Sequence, residues 1–121
     1  MCTSCAVASI AAWRDEEHVR ENRRRYREKF DRLLPALTPV LGVTKPDAGF
    51  YFWARVPGGD DEAFARELFR RQHVTVLPGR YLARDAHGIN PGTGYVRMAL
   101  VPDLAACEEA ARRIASCVAG L

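Results

Sequence analysis

Apolar residues along the first third of the chain fall at helical spacing. Val19, Tyr26, Phe30, Leu33, Leu34 and Leu37 trace one stripe at the 3.6-residue period. They predict a single long helix from Ala6 to about Leu37, ended by Pro35 and Pro39. Leu41-Gly42-Val43-Thr44 then reads as a short strand, and Phe50 to Val56 as a second one led in by the turn residues Asp47-Ala48-Gly49. After the Pro57-Gly58-Gly59 loop, Asp60 or Asp61 can cap a helix to about Gln72 that buries Phe64, Ala65, Leu68 and Phe69. Val74-Thr75-Val76-Leu77 is a buried strand stopped by Pro78-Gly79. An irregular stretch from Arg80 to Gly94 leads into a strand at Tyr95–Val101. Asp103 caps the last helix, whose stripe is Leu104, Cys107, Ala111, Ile114, Ala115 and Val118. The order predicts an α+β fold: a long N-terminal helix, then a small, mainly antiparallel sheet covered by helices.

Composition narrows the function classes. At 121 residues, 48% hydrophobic and 27% charged, the chain suits one compact core with little room for a cofactor enclosed on all sides. No apolar run approaches the ~18 residues a membrane helix needs. The segment Met1–Trp13 lacks a basic start and runs into Arg14-Asp15-Glu16-Glu17, so it does not read as a secretory signal. The expected compartment is the cytoplasm, with no membrane partner. Net charge is +3, but the arginines around the first helix are interleaved with acids. Glu16 to Arg20, Glu21 to Arg25 and Glu28 to Arg32 stand four apart with the acid first, as on a solvated, ion-paired face. Nucleic-acid binding is not expected.

Few residues offer reaction chemistry. No phosphate-binding glycine loop, nucleophile elbow or zinc-protease histidine pair is present, and no metal site is expected. Cys2 and Cys5 form a C-x-x-C pair, but no strand precedes it, and Cys107 and Cys117 lie far off in a helical pattern. The expectation is buried or incidental thiols. Only Lys29 and Lys45 carry a side-chain amine. Arg97 stands apart, a cation inside an apolar strand directly after the glycine-rich stretch. A guanidinium held there presents a planar fork to a carboxylate, although an outward-facing strand arginine fits the pattern too.

Ala48-Gly49-Phe50-Tyr51, then Val74 to Gly79, then Gly94-Tyr95-Val96-Arg97-Met98-Ala99-Leu100 resemble the C-terminal part of the class I/II aminotransferases that use pyridoxal 5'-phosphate. Within that superfamily, the stretch from Val74 to Gly92 and Ala8–Trp13 leading into His18–Arg23 are most similar to N-succinyldiaminopimelate aminotransferases of lysine biosynthesis. The resemblance covers about Ala8 to Ile114. It implies the small domain of a fold-type I aminotransferase, a homodimeric complete enzyme, and transfer of an amino group between glutamate and an N-acyl amino-keto acid. It further implies that Arg97 binds the substrate carboxylate and that Gly49 leaves space where the backbone nears the substrate. Arg80, Tyr81 and Arg84 are implied either to line the site and contact the succinyl group or to hold the turn as ordinary loop residues.

The departures from that family are as informative. Its Schiff-base lysine in a serine-rich motif, its ring-nitrogen aspartate and its phosphate-holding loop have no counterpart here. No residue is therefore expected to be catalytic or to bind the cofactor, and the chain alone is expected to be inactive and to hold pyridoxal phosphate poorly. Residues 1–38 are expected to be the linker helix from the end of a large domain that the chain lacks, and 39–121 the small domain, as in a shortened or split product. The alternative is a non-catalytic oligomerisation or binding module built on the same fold.

Overall fold

The computed structural model describes residues 2–121. Helices α1 (Thr3–Arg14) and α2 (Glu17–Leu37) come first, followed by strand β1 (Tyr51–Arg55) and helix α3 (Asp61–Gln72). Strands β2 (Leu77–Pro78) and β3 (Tyr95–Ala99) and helix α4 (Leu104–Ala119) complete the chain. The sheet runs β1-β3-β2 with both pairings antiparallel. The α+β class expected from the sequence is the one observed.

The single N-terminal helix is corrected to two. Asp15 is extended, and its carboxylate accepts a hydrogen bond from the Glu17 amide at 3.1 Å. A short acidic side chain has here taken over a backbone donor and restarted the helix. Pro35 lies inside α2 rather than ending it. The Thr38 amide and hydroxyl both reach the Leu34 carbonyl, at 2.9 and 2.7 Å, and close the last turn around it. Of the acid-first pairs, Glu21 holds Arg25 at 2.9 Å, whereas Arg32 turns to Glu108 of α4.

Two predicted strands shrink. The first is reduced to one bridge, in which Gly42 exchanges both backbone bonds with Arg55 before the chain diverges. The second, expected over Val74–Leu77, keeps only Leu77, opposite Arg97, and takes in Pro78, its expected stop, opposite Val96. The caps do appear where expected: Asp60 accepts from the Ala63 amide at 3.1 Å, and Asp103 from the Ala106 amide at 2.8 Å.

The two faces of the sheet differ sharply. Phe52, Ala54, Val96 and Met98 point inward and join Phe30, Leu33 and Leu37 of α2, Phe64 and Leu68 of α3, and Cys107, Ala111, Ile114 and Cys117 of α4. Phe30 meets Phe52 edge to face, with centroids 5.1 Å apart. The period-two alternation of β1 and β3 leaves Tyr51, Trp53, Arg55, Tyr95 and Arg97 on the uncovered face. Helix α1 buries nothing, and Trp13 is 82% exposed.

Phe52 is the largest fully enclosed side chain, touching both α2 and the sheet's inner layer. We expect Phe52→Ala to cost about 3–5 kcal/mol, the usual price of an aromatic-sized hole in a core. Urea unfolding followed by circular dichroism checks this, and a loss below about 1 kcal/mol means that the α2–sheet contact is loose.

Candidate functional site

Arg97 sits at the centre of the middle strand, opposite Trp53 on one side and Leu77 on the other. Neighbours on both flanks fix its backbone. Its guanidinium lies 5.6 Å from the centroid of the Tyr51 ring, a cation–π contact that orients the fork without neutralising it. Among the described residues it makes no ion pair, whereas Arg80 has three acids around it. Beside Arg97 opens a cleft of ≈ 490 Å³, walled by Tyr51 and Trp53 from β1 and by Leu82, Ala83 and Pro91 from the loop between β2 and β3. Trp53 stacks on Tyr95 at 5.5 Å with the rings 11° apart, and Arg55 donates to the Tyr95 hydroxyl at 2.9 Å. The wall next to Arg97 is thereby fixed.

The loop that forms the other wall is held by a residue that the sequence suggests only as an alternative helix cap. Asp61 is fully buried at the start of α3. Its Oδ1 accepts from Arg80 Nε at 2.9 Å, Arg80 Nη2 at 2.7 Å and the Gly94 amide at 3.2 Å, and its Oδ2 accepts from the Arg80 amide at 3.1 Å. One carboxylate thus ties α3 to the first and last residues of the loop. The available signal was the doublet Asp60-Asp61: one acid caps the helix, which leaves the second for another partner.

Close backbone contact completes the clamp. Gly79 and Gly92 cross so tightly that a Cβ on either would overlap the other's backbone, and one on Gly79 would also lie 2.8 Å from the Trp53 ring. Asn90 supports the crossing by donating to the Arg80 carbonyl at 3.2 Å and accepting from the Gly92 amide at 2.9 Å.

The remaining sequence-predicted residues are spread out. Arg80 is bound to Asp61, and its guanidinium is engaged in holding the turn. Tyr81 and Arg84 are exposed on the loop, flanking the cleft residues Leu82 and Ala83. Gly49 has φ +101° and open space where a Cβ would stand. It borders a separate groove, shared with Arg23, Tyr26 and Arg27 of α2, so the structure does not bring it into the Arg97 cleft.

Comparison with known proteins assigns the family. Residues 1–114 match the family model described as aminotransferase class I and II. The chain belongs to the class I and II aminotransferases. An LL-diaminopimelate aminotransferase from Nitratidesulfovibrio vulgaris (strain DP4) is 39% identical over 111 residues, covering 89% of this chain and 27% of that protein. An aminotransferase from Neisseria meningitidis superposes with a TM-score of 0.87 at 59% identity, over 90% of this chain and 28% of that one. A probable N-succinyldiaminopimelate aminotransferase from Thermus thermophilus gives 0.72 at 40% identity, over 86% and 27%. The chain therefore spans little more than a quarter of these relatives, and its fold is that of fold-type I aminotransferases.

Pyridoxal phosphate, the cofactor this family implies, can be tested against the residues present. Lys29 Nζ donates to the Leu100 carbonyl at 2.8 Å and lies 4.9 Å from the Tyr26 ring centroid, while Lys45 is paired with Asp31 at 2.7 Å. The buried acid, Asp61, is saturated. The first turns of α2 and α3 carry Glu17, and Asp61 with Glu62, which repel a phosphate. Among the described residues both lysines are engaged and the buried acid is saturated, so none of them fits the role of the cofactor's Schiff-base amine or ring-nitrogen acid.

Burial pushes the Asp61 carboxyl up, but Arg80 and the two backbone amides outweigh it and hold the group down at about 2. In the unfolded chain the group titrates near 4. Asp61 therefore stabilises the fold above about pH 4, and this contribution drains away as the pH falls through about 2. Asp61→Asn is expected to lose about 2 kcal/mol at neutral pH, with the gap to wild type closing between about pH 5 and 2. Unfolding curves measured across that range check it; a gap independent of pH removes the ion pair from the account.

Proposed function

We propose that this chain supplies the substrate-carboxylate anchor of an aminotransferase acting on an amino-dicarboxylic acid of the diaminopimelate type, with Arg97 as the anchor. The observation that carries the reading is Arg97 itself, a guanidinium with no acidic partner among the described residues, on the central strand facing an aromatic-walled cleft. A carboxylate there would accept two parallel N–H bonds from the fork, and the Tyr51 and Trp53 rings would keep water off the pair. Fixing one carboxylate also fixes the orientation of the neighbouring carbon, which is how an anchor serves rate as well as affinity. Tyr81 and Arg84, beside the cleft wall, are the residues proposed to meet the far end of the substrate, including the succinyl carboxylate of an N-acylated one. Gly49 is proposed only to leave open the separate groove that it borders against α2, not the Arg97 cleft.

The relatives' names support the substrate class: one is an LL-diaminopimelate aminotransferase and another a probable N-succinyldiaminopimelate aminotransferase. We place the complete reaction in lysine biosynthesis, in a homodimeric enzyme, with the chain alone inactive. A second reading, an assembly module, rests on the uncovered Val7, Ile10 and Trp13 of α1. It expects concentration-dependent association in sedimentation, where a monomer at high concentration counts against it.

Titrating the chain with glutarate, followed by arginine side-chain NMR, tests the anchor. The Arg97 Nε–H resonance should move and saturate, Arg97→Ala should abolish the response, and Arg97→Lys should weaken binding roughly tenfold or more. Unchanged affinity in Arg97→Ala removes the proposal. Borohydride treatment after mixing with pyridoxal phosphate should leave no cofactor attached to Lys29 or Lys45.

A further inference from the structure

The C-x-x-C pair plays no part in the carboxylate anchor, yet the structure assembles it. Cys2 is the N-cap of α1, with extended backbone, and its Sγ accepts from the Cys5 amide at 3.4 Å. The Cys5 side chain projects from the first turn, and the two sulfurs lie 3.0 Å apart, hydrogen-bonded to one another. Both residues are exposed, whereas Cys107 and Cys117 are buried in the α4 core. The sequence alone predicts buried or incidental thiols, because no strand precedes the pair and Cys107 and Cys117 lie far off in a helical pattern. The helix cap now supplies the juxtaposition that a strand was expected to provide.

We propose that Cys2 and Cys5 form a dithiol–disulfide exchange site whose substrate is a low-molecular-weight disulfide such as oxidised glutathione. The Cys2 thiolate attacks one sulfur of the glutathione disulfide, forming a Cys2–glutathione mixed disulfide and expelling one glutathione thiolate. Cys5 then loses its proton and attacks Cys2 Sγ, closing the Cys2–Cys5 bond and expelling the second glutathione. The protein gives up two electrons and two protons, and one glutathione disulfide becomes two glutathione thiols. The roles are asymmetric for a physical reason. Cys2 Sγ sits at the helix cap and accepts from the Cys5 amide at 3.4 Å, an arrangement that favours negative charge on Cys2 and lowers its pKa. Cys2 is therefore the attacking sulfur and Cys5 the resolving one. The 3.0 Å approach makes closure intramolecular, so it outruns a second glutathione arriving from solution. This assignment does not depend on the substrate reading above.

The test equilibrates the whole chain with glutathione redox buffer, quenches it with an alkylating agent, and measures intact mass and peptides. The expected product carries no glutathione, joins Cys2 to Cys5 within one chain and so lacks the alkyl groups of these two residues, with Cys107 and Cys117 not in a disulfide. The closed form should exceed the mixed disulfide roughly tenfold or more at millimolar glutathione. Cys2→Ser and Cys5→Ser, both at exposed positions, should each instead carry one glutathione, with Cys5→Ser acquiring it faster. Wild type bearing glutathione on both cysteines, a bond formed only between two chains, or Cys2 and Cys5 left alkylated throughout the oxidising range each overturns the proposal.

Discussion

The buried carboxylate of Asp61 is the point on which the functional face depends. A 15-residue connection would ordinarily wander, because ordering each residue costs about 1–2 kcal/mol of backbone entropy. Here both its ends are drawn to one atom, Asp61 Oδ1, which accepts from the Arg80 side chain at the start and from the Gly94 amide at the finish. Removing this carboxylate from water is costly, and the cost is met only because four N–H groups aim at it. The arrangement fixes where β3 begins, and Arg97 follows three residues after Gly94. Register then does the rest, setting Arg97 between Trp53 and Leu77 on the open face.

Two arginines of the same loop-and-strand unit thus carry opposite assignments. Arg80 is locked to a buried acid and acts as structure. Arg97, seventeen positions on, is held by its backbone and left without an acidic partner among the described residues. Side-chain chemistry does not separate them, since both are guanidinium groups with the same donor set. What separates them is the buried carboxylate beside one and the aromatic ring beside the other. The cleft between Arg97 and the loop wall exists because Gly79 and Gly92 let two backbones cross where any side chain would collide.

Much of this was legible in the sequence wherever burial is one-sided. The alternation of Tyr51–Arg55 and Tyr95–Ala99 and the helical stripes of α2, α3 and α4 follow from apolar spacing, except that Phe69, expected on the buried face of α3, is 58% exposed. Arg97 was visible as a cation that broke an apolar strand. Less legible were features decided by single polar groups. Asp15 splits the N-terminal helix by bonding the Glu17 amide, and Asp61 recruits an arginine nineteen positions away. Neither leaves a periodic trace. The strands at Gly42 and at Leu77–Pro78 were overestimated because β-propensity says nothing of how long a partner stays within reach. Gly49 and Arg97 look coupled along the chain, but they border different grooves.

Membership of the class I and II aminotransferases and the geometry of Arg97 are what support the proposed carboxylate anchor, and both lysines of the segment are engaged in other contacts. The most direct test is a crystal structure of the chain soaked with glutarate. The account predicts one carboxylate bound bidentately to Arg97 between Tyr51 and the loop wall, with the Asp61–Arg80 pair unbroken. A carboxylate seated on Arg80, with Asp61 displaced and Arg97 empty, would contradict it.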